Sequence, residues 1–148
     1  DSKFDAILDR MEALEPTMLP EQLFATGCVW DAYSYVCDLV RSAARRIVLI
    51  DNFVDDRTLK ILDKRAEDVE ATVYTRFTEQ IELDFTKHNE QCAPIAKVQL
   101  PLHVHDRFLI VDNQVYLLGA SVKDMGKGLC AIAPVGFPPE MVLGMVKG

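Results

Sequence analysis

The fourteen residues RFLIVDNQVYLLGA (107–120) constrain this chain more than any other stretch. Two apolar runs, each too short for an independent helix and rich in β-branched residues, flank a compact polar turn. Such runs, without alternation of polar and apolar residues, belong to strands covered on both faces. Phe108, Leu109, Ile110 and Val111 are therefore core candidates, and the two runs pair antiparallel. With Asn113-Gln114 as a two-residue loop, Arg107 faces Ala120 and His105 faces Val122. One bulged residue would instead set Ser121 opposite Arg107 and Lys123 opposite His105. The sequence leaves both registers open.

What lies upstream sets the architecture. LFAT (23–26) reads as a short strand. Asp31 to Arg46 reads as a helix with an apolar side of Tyr33, Val36, Cys37, Val40 and Ala44 and a basic end of Arg41, Arg45 and Arg46. RIVLIDNF (46–53) and EATVYTRF (70–77) follow as strands. Between them RTLKILDKR forms a helix capped by Asp55 or Asp56. Thr78 opens a polar helix to about Gln91, AKVQL is a further strand, LCAIA an edge strand, and Pro138-Pro139 starts a last helix. Strands alternating with helices, then a hairpin, indicate an α/β sandwich: a central mixed sheet with helices on both faces.

At 148 residues the chain suffices for one domain with a real core. Phe4, Ile7, Leu8, Met11 and Leu14 form a narrow helical stripe that suits a connector or dimerising helix, ended by Glu15-Pro16. The expected division is residues 1–16 as connector helix and 17–148 as the main domain. Because the sequence starts without methionine, a longer protein with upstream domains is expected. No apolar run reaches the roughly 20 residues of a membrane helix. A formal charge of −7 disfavours a broad nucleic-acid footprint while leaving room for a small basic pocket. The cysteines at 28, 37, 92 and 130 have no CxxC spacing and read as buried reduced thiols, which suggests a cytoplasmic protein and no metal site.

The start of the hairpin carries the chemistry. His105-Asp106-Arg107-Phe108-Leu109-Ile110-Val111-Asp112 has the spacing His-x-Arg-x4-Asp, followed by Gly119-Ala120-Ser121. It resembles the His-x-Lys-x4-Asp signature of the phospholipase D superfamily, with arginine in place of lysine and with GAS where that family carries Gly-Ser-x-Asn. Together with YSYVCDLVRSAARRIVLIDNFVDDRTLKIL, the block HDRFLIVDNQVYLLGASVKDMGK is similar to the C-terminal domain of bacterial proteins with a phage-antirepressor-type DNA-binding domain. The resemblance covers about residues 22 to 134.

It implies a phospholipase D-like α/β sandwich and a metal-independent phosphodiesterase chemistry without cofactor. A histidine attacks phosphorus, and cationic and amide side chains hold the nonbridging oxygens. Carried onto this chain, His105 and Asp112 are the catalytic candidates, and Arg107, Ser121 and Lys123 the phosphate-binding ones. On a strand His105 and Arg107, at i and i+2, would share a face. One such block per chain implies a homodimer, with nucleic acid reached through an upstream domain and no membrane. The function expected is a phosphodiesterase-related domain, degenerate or active, binding or hydrolysing nucleic-acid phosphodiesters. The alternative is a non-catalytic dimerisation or sensing module.

Each residue also has a plainer reading. Arg107 is larger than lysine and clamps phosphate differently. Asp112 at a tight turn is common without catalysis. Asp51 and Asn52 end an apolar strand, where α/β ligands bind but turns also form. His103 with His105 lacks a third metal ligand at convincing spacing. Lys123, Asp124 and Lys127 read as a solvated charge run, with Lys123 alone suited to phosphate.

Overall fold

The structure is a computed structural model that describes residues 20–147; the stripe of residues 4–14 lies outside them. Seven strands form one mixed sheet: β1 (Gln22–Phe24), β2 (Arg46–Ile50), β3 (Glu70–Thr75), β4 (Ala96–Gln99), β5 (Arg107–Val111), β6 (Gln114–Leu118) and β7 (Cys130–Val135). Their order across the sheet is β1-β7-β6-β5-β2-β3-β4. β2, β3 and β4 run parallel, joined by helices, whereas β5, β6 and β7 return antiparallel, β5 and β6 through a tight turn and β6 and β7 through a longer segment that holds a 3-10 turn. LCAIA is therefore not an edge strand, because β1 pairs with it and takes the edge.

Three helices, α1 (Val29–Ser42), α2 (Asp56–Leu62) and α3 (Glu79–Gln91), cover one face. The last helix, α4 (Pro139–Val146), covers the other. Alternation sorts the strand residues between these two cores. Ile47, Leu49, Leu109 and Val111 face α1–α3, while Val48, Ile50 and Ile110 face α4. Leu109, Ile110 and Val111 are buried as expected from the doubly apolar run, whereas Phe108 is only half-buried.

Local chemistry sets the helix ends. Asp55 caps α2, accepting from Arg57 N–H while the Thr58 hydroxyl returns a bond to Asp55 N–H. Thr78 caps α3 by accepting from Ile81 N–H at 3.2 Å. α1 stops at Ser42, so Arg45 and Arg46 do not belong to its basic end, and Arg46 opens β2. The three N–H groups after that helix point to one acceptor. Asp112 takes hydrogen bonds from Ala44, Arg45 and Arg46 at 2.9, 2.7 and 3.1 Å.

Asp112 also decides the hairpin. It adopts φ 54°, a left-handed conformation that aspartate tolerates, and so the turn falls on Asp112-Asn113. Val111 then pairs with Gln114, and Arg107 faces Leu118. Neither expected register holds: the ladder is two residues short of the simple one, because the turn forms one residue earlier than Asn113-Gln114. β6 ends at Leu118, and Gly119 leaves it with its Cα against β7. A Cβ there would stand 2.9 Å from Ala131 N. Only glycine allows that approach, and it lets the chain turn toward the end of β2.

Candidate functional site

β2 is followed directly by Asp51, whose N–H donates to Tyr74 O and which is 1% exposed. The carboxylate accepts from Phe53 N–H (2.9 Å), the Ser121 hydroxyl (2.9 Å) and Val122 N–H (3.2 Å). Arg107 Nε donates to Ser121 Oγ at 3.1 Å and lies 3.7 Å from the Asp51 carboxylate. Arginine, serine and aspartate thus form one chain joining β5, the segment after β6, and the end of β2. Desolvation pushes the Asp51 carboxyl above its ordinary range, outweighing the Phe53, Ser121 and Val122 donors and the Arg107 charge.

The segment carrying Ser121 is itself held in place. Val122–Asp124 is a 3-10 turn. Gly126, at φ 89°, packs onto the start of α1, where its carbonyl accepts from Gly27 N–H. Lys123 donates to Asp124 at 2.6 Å and Lys127 to the same carboxylate at 2.9 Å. These lysine bonds outweigh partial desolvation and hold Asp124 below the usual carboxylate range. Arg57 pairs with Asp55 at 2.6 Å. Each of these cations, like Arg107, already has a carboxylate partner from the chain.

The five residues read from the sequence fall in three places. Arg107 and Ser121 meet, through the turn after Gly119 rather than by strand pairing. Lys123 follows in the same segment, engaged by Asp124. Asp112 lies at the far end of β5, in the backbone clasp described above. Desolvation raises its carboxyl, but the Ala44, Arg45 and Arg46 N–H groups together lower it further, and it sits below the ordinary value.

His105 lies elsewhere again. β5 begins only at Arg107, and a turn in which Val104 N–H reaches Pro101 O precedes it. The i, i+2 rule for a strand does not apply across that bend. His105 is exposed and borders a groove of about 410 Å³ with Phe108, Phe137 and the α4 residues Met141, Val142 and Met145. That groove is on the α4 face, whereas Arg107 is engaged on the other. Beside it, Asn52 Nδ2 reaches Val104 O at 3.4 Å, while its buried Oδ1 has no partner among the described residues.

No protein-family model matches the sequence, and comparison with curated proteins returns no match. Solved structures do match. Nuc from Salmonella typhimurium, a phospholipase D family member, superposes with TM-score 0.58 at 14% identity, over 86% of this chain and 89% of Nuc. The fold is phospholipase D-like. NucT from Helicobacter pylori gives TM-score 0.56 at 11% identity, over 84% of this chain and 89% of NucT. TrmBL2, an archaeal chromatin protein whose structure shows a novel mode of DNA binding, gives 0.53 at 12% identity and covers 98% of this chain. This chain spans 53% of TrmBL2, about half its length. At these identities the likeness concerns the phospholipase D-like fold alone. Among the described residues no helix is long and apolar enough to cross a membrane.

Asp51 is the residue whose role the sequence reading underweighted. Its signal was an acidic residue ending an apolar strand. Only the fold brings Ser121 and Arg107 to it.

Proposed function

We propose that this chain is a non-hydrolysing phospholipase D-like module, serving dimerisation or sensing in a longer nucleic-acid-associated protein. One observation carries the reading: Arg107, in the position where the resemblance puts the phosphate clamp, is bound to Ser121 and the buried Asp51 carboxylate. A phosphodiester reaching Arg107 would meet that carboxylate. Where Asp51 is ionised, two like charges would share the one arginine, which disfavours the phosphodiester. Lys123 would have to leave Asp124 to assist. His105, bordering the α4-side groove, would attack from the wrong face.

A second reading, phosphate binding without turnover, is favoured by the exposure of Arg107, whose side chain is 29% accessible. Its Nη groups have no acceptor among the described residues and remain free to bind an oxyanion. The homodimer belongs to the same proposal. Phe137, Met141 and Met145, exposed at 51%, 48% and 74%, rim the groove beside His105, and a second copy would cover them.

The test is metal-independent hydrolysis of a chromogenic phosphodiester by the purified chain and its His105→Asn variant. No turnover in either is expected. Losing a single charge-stabilising donor typically slows such chemistry by roughly 100- to 1000-fold. Robust cleavage that disappears in His105→Asn would overturn the reading. Phosphate binding that Arg107→Lys weakens would favour the second reading over the first.

A further inference from the structure

β2, β3 and β4 are parallel, so the helix ends that feed β3 and β4 lie at the end of the sheet away from Asp51. There α2 closes with Asp63 at its C-cap and α3 with Cys92 at its C-cap. Asp63, His88 and Cys92 bring a carboxylate oxygen, a ring nitrogen and a thiol within 4.8 Å of one another. His88 and Cys92 are one helical turn apart, at i and i+4, and so project from the same side of α3.

The hydrogen bonds of His88 define what this cluster lacks. Its side chain is 9% exposed, and both ring nitrogens face oxygens: Nδ1 meets Asn89 Oδ1 at 2.7 Å, and Nε2 meets Asp63 Oδ1 at 2.6 Å. The Asn89 amide cannot be turned round. Its Nδ2 donates to Ile95 O, and its Oδ1 accepts from Ile95 N–H, both at 3.0 Å. An oxygen therefore faces Nδ1, and Nδ1 carries the hydrogen. Nε2 is then the nitrogen directed at the Asp63 carboxylate, a contact that a proton or a metal cation shared between the two would satisfy. A histidine donating one ring N–H to an amide oxygen while offering the other nitrogen is the arrangement that orients metal-bound histidines.

The surroundings favour positive charge independently. Two helix C-termini converge here, each carrying the partial negative charge of its helix dipole. An aspartate at such an end has the wrong sign for its own helix. Arg65 lies beside it but reaches Asp63 only at 3.5 Å, its guanidinium being engaged by Leu62, Val69, Ala93 and Pro94 carbonyls. Those bonds tie the loop after α2 to the loop after α3 and so keep Cys92 beside Asp63.

We propose that Asp63, His88 and Cys92 form a binding site for a borderline-soft divalent cation, zinc foremost. The mixed oxygen, nitrogen and sulfur set suits zinc, and a thiolate selects against magnesium and calcium. With metal–ligand bonds of about 2.0 to 2.3 Å, tetrahedral ligand atoms stand roughly 3.4 to 3.7 Å apart, so Asp63 moves slightly away from His88 on binding. The exposed Asp63 and Cys92 side chains allow that adjustment. Binding takes the thiolate, and its proton goes to solvent. The groove lined by Asp63, Arg65, Cys92 and Ala93 admits water to the remaining position. The ion clasps the ends of α2 and α3.

The experiment uses the whole chain, stripped with chelator and titrated with cobalt(II), followed by its thiolate-to-cobalt absorption and visible bands. A saturable thiolate band is expected, abolished by Cys92→Ser, shifted to at least about 10-fold weaker affinity by His88→Gln, and displaced by zinc. Zinc is further expected to raise the unfolding midpoint of the native chain and not of Cys92→Ser. Cys92 is exposed, so the serine variant keeps the fold, which circular dichroism checks. Absence of a thiolate band would overturn the proposal and leave His88 and Asp63 as a simple ion pair. A band undiminished in Cys92→Ser would also overturn it, assigning the thiolate to Cys28, Cys37 or Cys130.

Discussion

At Asp112 a carboxylate takes hydrogen bonds from three consecutive backbone N–H groups, while its own carbonyl accepts from Arg46 Nε at 3.0 Å. Replacing it with alanine strands donors between α1 and β2, two of them solvent-exposed, which puts the cost at the lower end of about 1 to 3 kcal/mol. The direction of its shift fixes the pH dependence. Its folded value lies below the ordinary carboxylate value of about 3.9. It therefore adds stability above about pH 4 that is lost as pH falls through the folded value. The stability difference between native chain and Asp112→Ala should shrink as pH drops from about 6 to about 3, read by chemical unfolding. Asp51 behaves oppositely. Its value is raised, so the fold favours the protonated form, and its contribution is largest below about pH 4 and declines as pH rises through the folded value. Asp51→Ala leaves three donors and Arg107 without their acceptor. Breaking a buried pair costs about 3 to 5 kcal/mol, and the partial exposure of Arg107 puts this case at or below the lower end.

At the scale of elements, β5 is the strand on which both cores rest. Leu109, 1% exposed between β2 and β6, belongs to the α1–α3 core, and Leu109→Ala should cost about 2 to 5 kcal/mol in thermal or urea unfolding. An unchanged midpoint would contradict the packing. The segment between β6 and β7 depends on a different device. Gly126 has φ 89°, and a Cβ there would stand 2.6 Å from Cys28 O and 2.8 Å from Val29 Cα, both backbone atoms. Gly126→Ala should therefore destabilise the chain by at least about 1 to 3 kcal/mol and loosen the Ser121 segment, visible as faster amide exchange around Val122. Element positions were readable because doubly apolar runs and capping residues are local signals. The pairing register was not, since it hung on one left-handed residue, Asp112, recruited by the N–H groups after α1.

For the whole molecule, the apolar rim on the α4 face yields the prediction about assembly. If a second copy covers it, the chain should sediment as a dimer at tens of micromolar, roughly the weak end for a specific pair. Met145→Lys should shift it to monomer without lowering the unfolding midpoint of the monomer, because Met145 is 74% exposed. A monomer at that concentration would count against the proposed dimer.

The sequence by itself determined the alternation of strands and helices, a cap at Asp55 or Asp56 and another at Thr78, the doubly covered hairpin and the resemblance that points to Arg107 and Ser121. Hydrophobic periodicity and capping act over a few residues, so they are written locally. Only the tertiary structure decided that Arg107 meets Asp51, that His105 borders the opposite face, and that Asp63, His88 and Cys92 gather at two helix ends. Those contacts join residues that share no local pattern, and they exist because a mixed sheet brings the ends of distant strands and helices together.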